Sequence, residues 1–116
     1  MQKLIDNIVG AIQDKKGKNI VSLDLTELEG TICDAFVVCN ADSTTQVDAI
    51  ADGIVEALEE KLGEKPRRVE GKTNAAWIAI DYVDVMVHIF LTELRSYYRL
   101  EQLWADAKTT AYESEE

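Results

Sequence analysis

Apolar residues recur at helical spacing at the start of the chain: Leu4, Ile5, Ile8, Val9 and Ile12 lie on one face, and Lys15, Lys16 and Gly17 follow as helix-ending residues. The pattern predicts a helix over residues 2–15. Residues 19–25 alternate Ile20, Ser22 and Asp24 against Val21, Leu23 and Leu25, and residues 34–39 form a compact run around Phe36, Val37 and Val38. Both read as strands. Ser43 and Gln46 have the spacing of a capping box, and Val47, Ile50, Ala51, Ile54, Val55, Leu58 and Leu62 form one apolar stripe, so a helix over 44–62 is expected, stopped by Gly63 and the lone Pro66. Three extended pieces follow, at 67–70, 76–82 and 84–91. The last sets Val85, Val87, Ile89 and Leu91 against Asp84, Met86, His88 and Phe90, which predicts one aliphatic face and one that is half core and half contact surface. Thr92 starts a short final helix with Leu94, Tyr97 and Tyr98, with a further turn over 100–104.

This order predicts an α/β (α+β) fold with a single mixed five-stranded sheet flanked by helices. Residues 1–105 form one domain, and residues 106–116 a polar, acidic tail expected to be flexible. A chain of 116 residues buries roughly 65% of its unfolded surface, enough for a core without staples. No apolar run approaches the roughly 20 residues of a membrane span, and the first residues lack the apolar core of a signal peptide, so a cytoplasmic protein is expected. Cys33 and Cys39, among apolar neighbours, read as reduced core thiols.

The formal charge of −10 changes the picture because of where it sits. Between residues 19 and 60 there are ten acids and no Lys or Arg, while the remaining residues carry twelve of each sign. A field of that sign repels phosphate backbones and anionic lipid, so neither nucleic acid nor membrane is expected as a direct partner, and basic proteins are favoured. Within the stretch, Asp48, Asp52, Glu56 and Glu59 or Glu60 line one helix face. That stripe is either a solvated face or an electrostatic surface that attracts or repels a large charged partner.

Candidate chemistry is sparse. Asp24, Asp81 and Asp84 are the acids weighed as metal ligands, but in a continuous strand Asp81 and Asp84 point to opposite faces. The loop before the second helix lacks phosphate-cradling glycines and carries Asp42, and His88 has no catalytic partner within reach of its strand. No catalytic residue, metal or cofactor is expected. The C-terminal half instead concentrates Glu70, Trp77, Asp81, Tyr82, Asp84, Tyr97, Tyr98 and Trp104. Trp and Tyr favour interface anchors, and carboxylates beside them select Lys or Arg on a partner.

Five segments carry a family resemblance: Asp34-Ala-Phe-Val-Val-Cys-Asn; Ser43-Thr-Thr-Gln-Val with Ala49-Ile-Ala-Asp; Arg68-Val-Glu-Gly; Trp77-Ile-Ala-Ile-Asp-Tyr-Val-Asp-Val-Met-Val-His-Ile-Phe; and Tyr98-Arg-Leu-Glu-Gln-Leu-Trp. In this order the chain resembles the ribosomal silencing factor family, also called Iojap-like proteins. The resemblance implies a binding protein that docks on the large ribosomal subunit through its protein L-fourteen, blocks association with the small subunit and represses translation under nutrient limitation. It also implies a nucleotidyltransferase-like topology and allows a homodimer. Those enzymes carry Gly-Ser at the helix start and paired aspartates on the next strand; Asp42-Ser43 and the unpaired Asp84 depart from that pattern. Glycine often stands in the family at the places of Ala41 and Val83. The residues expected to meet the partner are Glu70, Trp77, Asp81, Tyr82, Asp84, His88 and Tyr98.

Overall fold

The computed structural model describes residues 1–28, 30, 31, 33–98, 105 and 107–114, without the side chains of Tyr97 and Tyr98. The expected turn at 100–104 and Trp104 lie outside the described residues. Helix α1 (Gln2–Asp14) turns Ile5, Ile8, Val9, Ala11 and Ile12 inward. Strands β1 (Lys18–Asp24) and β2 (Ala35–Ala41) follow, then helix α2 (Thr44–Leu62). Ser43 caps α2 as its spacing predicts, its Oγ accepting from the Gln46 N–H at 3.2 Å, and Gly63 ends the helix in the left-handed region at φ 67°. The reciprocal half of the capping box is put to another use. The Gln46 carboxamide donates to the Lys15 and Lys16 carbonyls at 3.3 and 3.1 Å, closing the end of α1 and tying the two helices together.

Strands β3 (Arg68–Glu70), β4 (Trp77–Asp81) and β5 (Val85–Leu91), helix α3 (Thr92–Tyr98) and strand β6 (Lys108–Tyr112) complete the described elements. Among them six strands form one sheet, in the order β3-β4-β5-β2-β1-β6. The sheet is mixed: β2 and β5 run parallel, and every other neighbouring pair is antiparallel. The α+β single-sheet expectation holds, with the strand count corrected from five to six.

The added strand lies in the stretch expected to be a flexible tail. Its register runs from Ile20 opposite Tyr112 to Asp24 opposite Lys108. The Tyr112 and Ser22 hydroxyls lie 3.1 Å apart, and the Gln13 carboxamide donates to the Glu113 carbonyl at 2.9 Å. Four of the five β6 residues are exposed, so the strand is held by its backbone ladder and one aromatic ring and leaves no alternating apolar pattern to read.

Helices α1 and α2 cover one sheet face. The core there joins Ile8, Ile12, Ile50, Ile54 and Leu58 to Ile20, Val37, Cys39, Ile78, Ile80, Val85, Val87 and Ile89. On the opposite face Leu23, Leu25, Cys33, Phe36, Val38 and Phe90 form a second, smaller core, with Leu94 of α3 packed against it. The two cysteines are free and buried, and burial pushes the Cys39 thiol up to about 12. Among the described residues no helix is long and apolar enough to cross a membrane.

Candidate functional site

Strand parity sorts the expected contact residues. Trp77 and Asp81 of β4 stand opposite Phe90 and Met86 of β5, Ala79 stands opposite His88, and Glu70 of β3 stands opposite Ala79. Glu70, Trp77, Asp81 and His88 therefore share the sheet face away from α1 and α2. Tyr82 follows Asp81 and turns the other way, into the helix-covered core at 7% exposure. Its buried hydroxyl has no hydrogen-bond partner among the described residues, and burial, with Glu64 nearby, pushes it up to about 12. Tyr82 is thus a core residue beneath the face, which corrects its assignment to the contact surface. Tyr98 ends α3, and its side chain lies outside the described residues.

His88 is also below the surface, at 6% exposure. Its ring meets Phe36 edge-on at 4.8 Å between centroids, and Trp77 stacks on Phe90 at 4.9 Å. The Trp77 indole N–H donates to His88 Nδ1 at 3.1 Å. An indole nitrogen can only donate, so Nδ1 is unprotonated and the neutral ring carries its proton on Nε2. Nε2 is buried without a partner among the described residues, and burial lowers the ring to about 4. Leaving such a donor unpaired costs about 1–3 kcal/mol.

The carboxylates differ in what they already hold. Asp81 Oδ2 accepts from Arg67 Nε at 3.1 Å and Nη2 at 2.6 Å, while its Oδ1 accepts the Val83 N–H at 2.8 Å. Burial would raise the Asp81 carboxyl, but the Val83 N–H and the Arg67 guanidinium outweigh it and hold the group below the ordinary range. Glu70 pairs with Arg68 at 3.2 Å, both exposed. Asp84 is exposed on the β4–β5 turn, and among the described residues its side chain has no ion-pair partner. Its carbonyl is fixed by the Asp34 and Ala35 N–H groups at 2.8 and 3.1 Å, so the turn is anchored to the start of β2.

The same geometry weakens the metal reading. β1 and β4 are three positions apart in the sheet, about 14 Å at the usual strand spacing, so Asp24 cannot share an ion with Asp81. Among the described residues no group of His, Cys, Asp or Glu is placed to hold a metal. The loop before α2 is likewise taken up by internal bonds. Asp42 accepts from Lys18 at 2.5 Å and from the Thr92 hydroxyl at 2.7 Å, contacts that hold its carboxyl below the ordinary range.

The acid-only stretch is partly neutralised in space. Lys72, on the β3–β4 connection, bridges Asp48 at 3.1 Å and Asp52, and Lys65 stands 3.6 Å from Glu59. Exposed pairs of this kind contribute roughly 0–1 kcal/mol, yet they relieve the repulsion along the α2 stripe.

A protein-family model described as ribosomal silencing factor during starvation matches residues 1–116. The chain belongs to this family. It is 39% identical to the ribosomal silencing factor RsfS of Halalkalibacterium halodurans, over 97% of this chain and 94% of that one. It is 39% identical to the ribosomal silencing factor RsfS of Bacillus subtilis, over 91% and 89%. A crystallised protein from Chromobacterium violaceum superposes with a TM-score of 0.86 at 32% identity, covering 98% of this chain and 93% of that one.

Two residues that shape the face were not legible as such in the sequence. Arg67 anchors Asp81, and only the β3–β4 pairing reveals it. Val83 sits at φ 74° with 54% exposure, and the Asp84 N–H bonds back to the Tyr82 carbonyl at 2.9 Å, a strained turn for a β-branched residue. Two-residue hairpin loops with positive φ at the first position favour glycine. Val83→Gly should therefore raise stability by about 1 kcal/mol, because the left-handed cost of roughly 1–2 kcal/mol disappears and little burial is lost. Urea unfolding checks this: the midpoint should rise with an unchanged slope, and a lower midpoint would show that Val83 makes contacts worth more than its strain.

Proposed function

We propose that this chain is a ribosomal silencing factor that binds the large ribosomal subunit through its protein L-fourteen. On this reading it hinders joining of the small subunit and lowers translation when nutrients are scarce. It acts in the cytoplasm as a binding protein without enzymatic activity, and the contact is to a basic protein surface and not to RNA. Membership of the silencing factor family supports the general role. The observation that carries the docking surface is the face of β3, β4 and β5 turned away from α1 and α2, where half-buried Trp77 stands at one end of β4, exposed Glu70 lies opposite the middle of that strand, and the turn that presents Asp84 closes its other end. An aromatic anchor beside carboxylates suits a partner patch of Lys and Arg around a shallow apolar spot.

The carboxylates are unequal in this role. Asp81 is engaged by Arg67 and Val83, so it shapes the turn, whereas Asp84 is exposed without an ion-pair partner among the described residues. Asp84→Lys should weaken co-sedimentation with isolated large subunits more than about tenfold, since it replaces an attraction by a like-charge clash. Unchanged co-sedimentation removes Asp84 from the contact. The function itself is tested by a subunit-joining assay on sucrose gradients. Added protein should lower the yield of joined ribosomes and sediment with the large subunit, and an unaffected yield with no sedimenting protein overturns the reading. A metal-dependent nucleotidyltransferase predicts instead nucleotide turnover that requires a divalent ion and is lost in Asp84→Asn.

A further inference from the structure

Among the residues of the face turned away from α1 and α2, His88 holds a place that exposure does not explain. It is buried under the aromatic group, its Nδ1 accepts the Trp77 indole N–H at 3.1 Å, and its Nε2 has no partner among the described residues. An apolar side chain in that position would remove the unpaired Nε2 donor, but it would also take away the acceptor of the Trp77 indole N–H. What only the imidazole supplies is an acceptor aimed at Trp77, between an edge-on Phe36 and a nearly parallel Phe90. The strand pairing adds to this. His88 lies opposite Ala79, whose small side chain leaves room on β4 for the indole two residues away to reach across to it.

We infer that His88 is a positioning residue: it locks the Trp77 indole in one orientation on the face, so that the ring is ordered before the partner arrives. This rests on the proposed docking of that face on a basic ribosomal protein. A large aromatic anchor that is already ordered does not pay its ordering entropy on binding, which is the gain preorganisation brings to an interface. His88 itself makes no contact with the partner.

Two kinds of measurement separate this role from simple core filling. In the unaltered chain the Trp77 indole proton, followed by 15N–1H NMR and assigned with Trp77→Phe, should lie downfield of a free indole and exchange slowly with water. A shift and exchange rate like those of free indole would overturn the inference without any ribosome being present. His88→Phe keeps ring volume and aromatic contacts but removes the acceptor. It should return the indole proton toward the free value and weaken binding to large subunits roughly threefold to tenfold, the scale of ordering one large side chain. His88→Asn, whose carbonyl oxygen falls near the place of Nδ1, should restore part of both, and it serves as the working variant if His88→Phe does not fold. In the Trp77→Phe background, His88→Phe should change binding by less than about twofold, because contacting residues that act as one unit are non-additive. An equal loss in both backgrounds means that His88 does not act through Trp77. If the unaltered chain fails to sediment with large subunits, the docking reading fails, while the indole measurements still decide whether His88 holds the ring.

Discussion

Gly71→Ala is expected to destabilise the protein by more than about 3 kcal/mol and to abolish the docking proposed for the β3–β4 face. Gly71 follows Glu70 at φ 92°, in the left-handed half of backbone space, and a Cβ placed there would lie 2.0 Å from the Trp77 carbonyl oxygen and 3.3 Å from the Ile78 Cα. Two costs add. An L-residue in this region loses roughly 1–2 kcal/mol to its own backbone, and the clash is with main chain, which cannot swing aside as a side-chain tip can. Relief requires β3 and β4 to part at the place where Glu70 and Trp77 are presented. It would also disturb the turn that places Lys72 on Asp48 and Asp52. Gly10 is the internal control: it lies inside α1, where an added Cβ would meet nothing within 4 Å, so Gly10→Ala should stabilise by about 0.5–1 kcal/mol. Paired urea titrations decide the matter, and a Gly71→Ala variant as stable as the parent would mean that the β3–β4 connection shifts freely.

The contrast between the two glycines shows what could be read from the sequence and what could not. The bounds of α2 were legible because its signals are local: a Ser cap, an apolar stripe at steps of three and four, and a glycine that takes φ 67° at the end. The alternation of β5 was legible too, but not what covers each face. Met86, His88 and Phe90 looked half exposed, whereas His88 and Phe90 are buried, because Leu23, Leu25, Phe36 and Val38 arrive from distant segments. Tyr82 was grouped with Trp77 and Asp81 by nearness along the chain, yet in a strand a single step reverses the side chain. Gly71 carries no mark of its own, since its constraint is a backbone carbonyl six residues away across a hairpin. The acidic stretch of residues 19–60 is segregated only along the chain. In space Lys18, Lys65 and Lys72 are returned to it, so part of the negative field is cancelled near its source.

The second large effect is a loss of stability on mild acidification, and it comes from the same buried imidazole. His88 is lowered to about 4 by burial, against an ordinary value of 6.5. The folded state therefore keeps His88 neutral at pH values where the unfolded chain already binds a proton. Between about pH 6.5 and 4 the unfolded state holds more protons, so stability rises with pH in that window and falls as the solution is acidified. The contribution is complete above pH 6.5. From the two values, roughly 2 kcal/mol is lost by pH 5 and on the order of 3 kcal/mol by pH 4. The lowered carboxylates act in a separate window. Asp24, Asp42 and Asp81 stabilise the fold above the ordinary carboxylate value and surrender that contribution only at lower pH, as each is protonated in the folded chain. Urea unfolding at pH 7, 6 and 5 isolates the histidine. The parent should lose stability across this range and His88→Phe should be nearly flat, while equal slopes in both would assign the loss to other groups. Protonation also converts Nδ1 from acceptor to donor, but at pH 5 only about a tenth of the folded chain carries that proton, so the Trp77 bond and the proposed docking should persist at pH 5 and weaken only near pH 4.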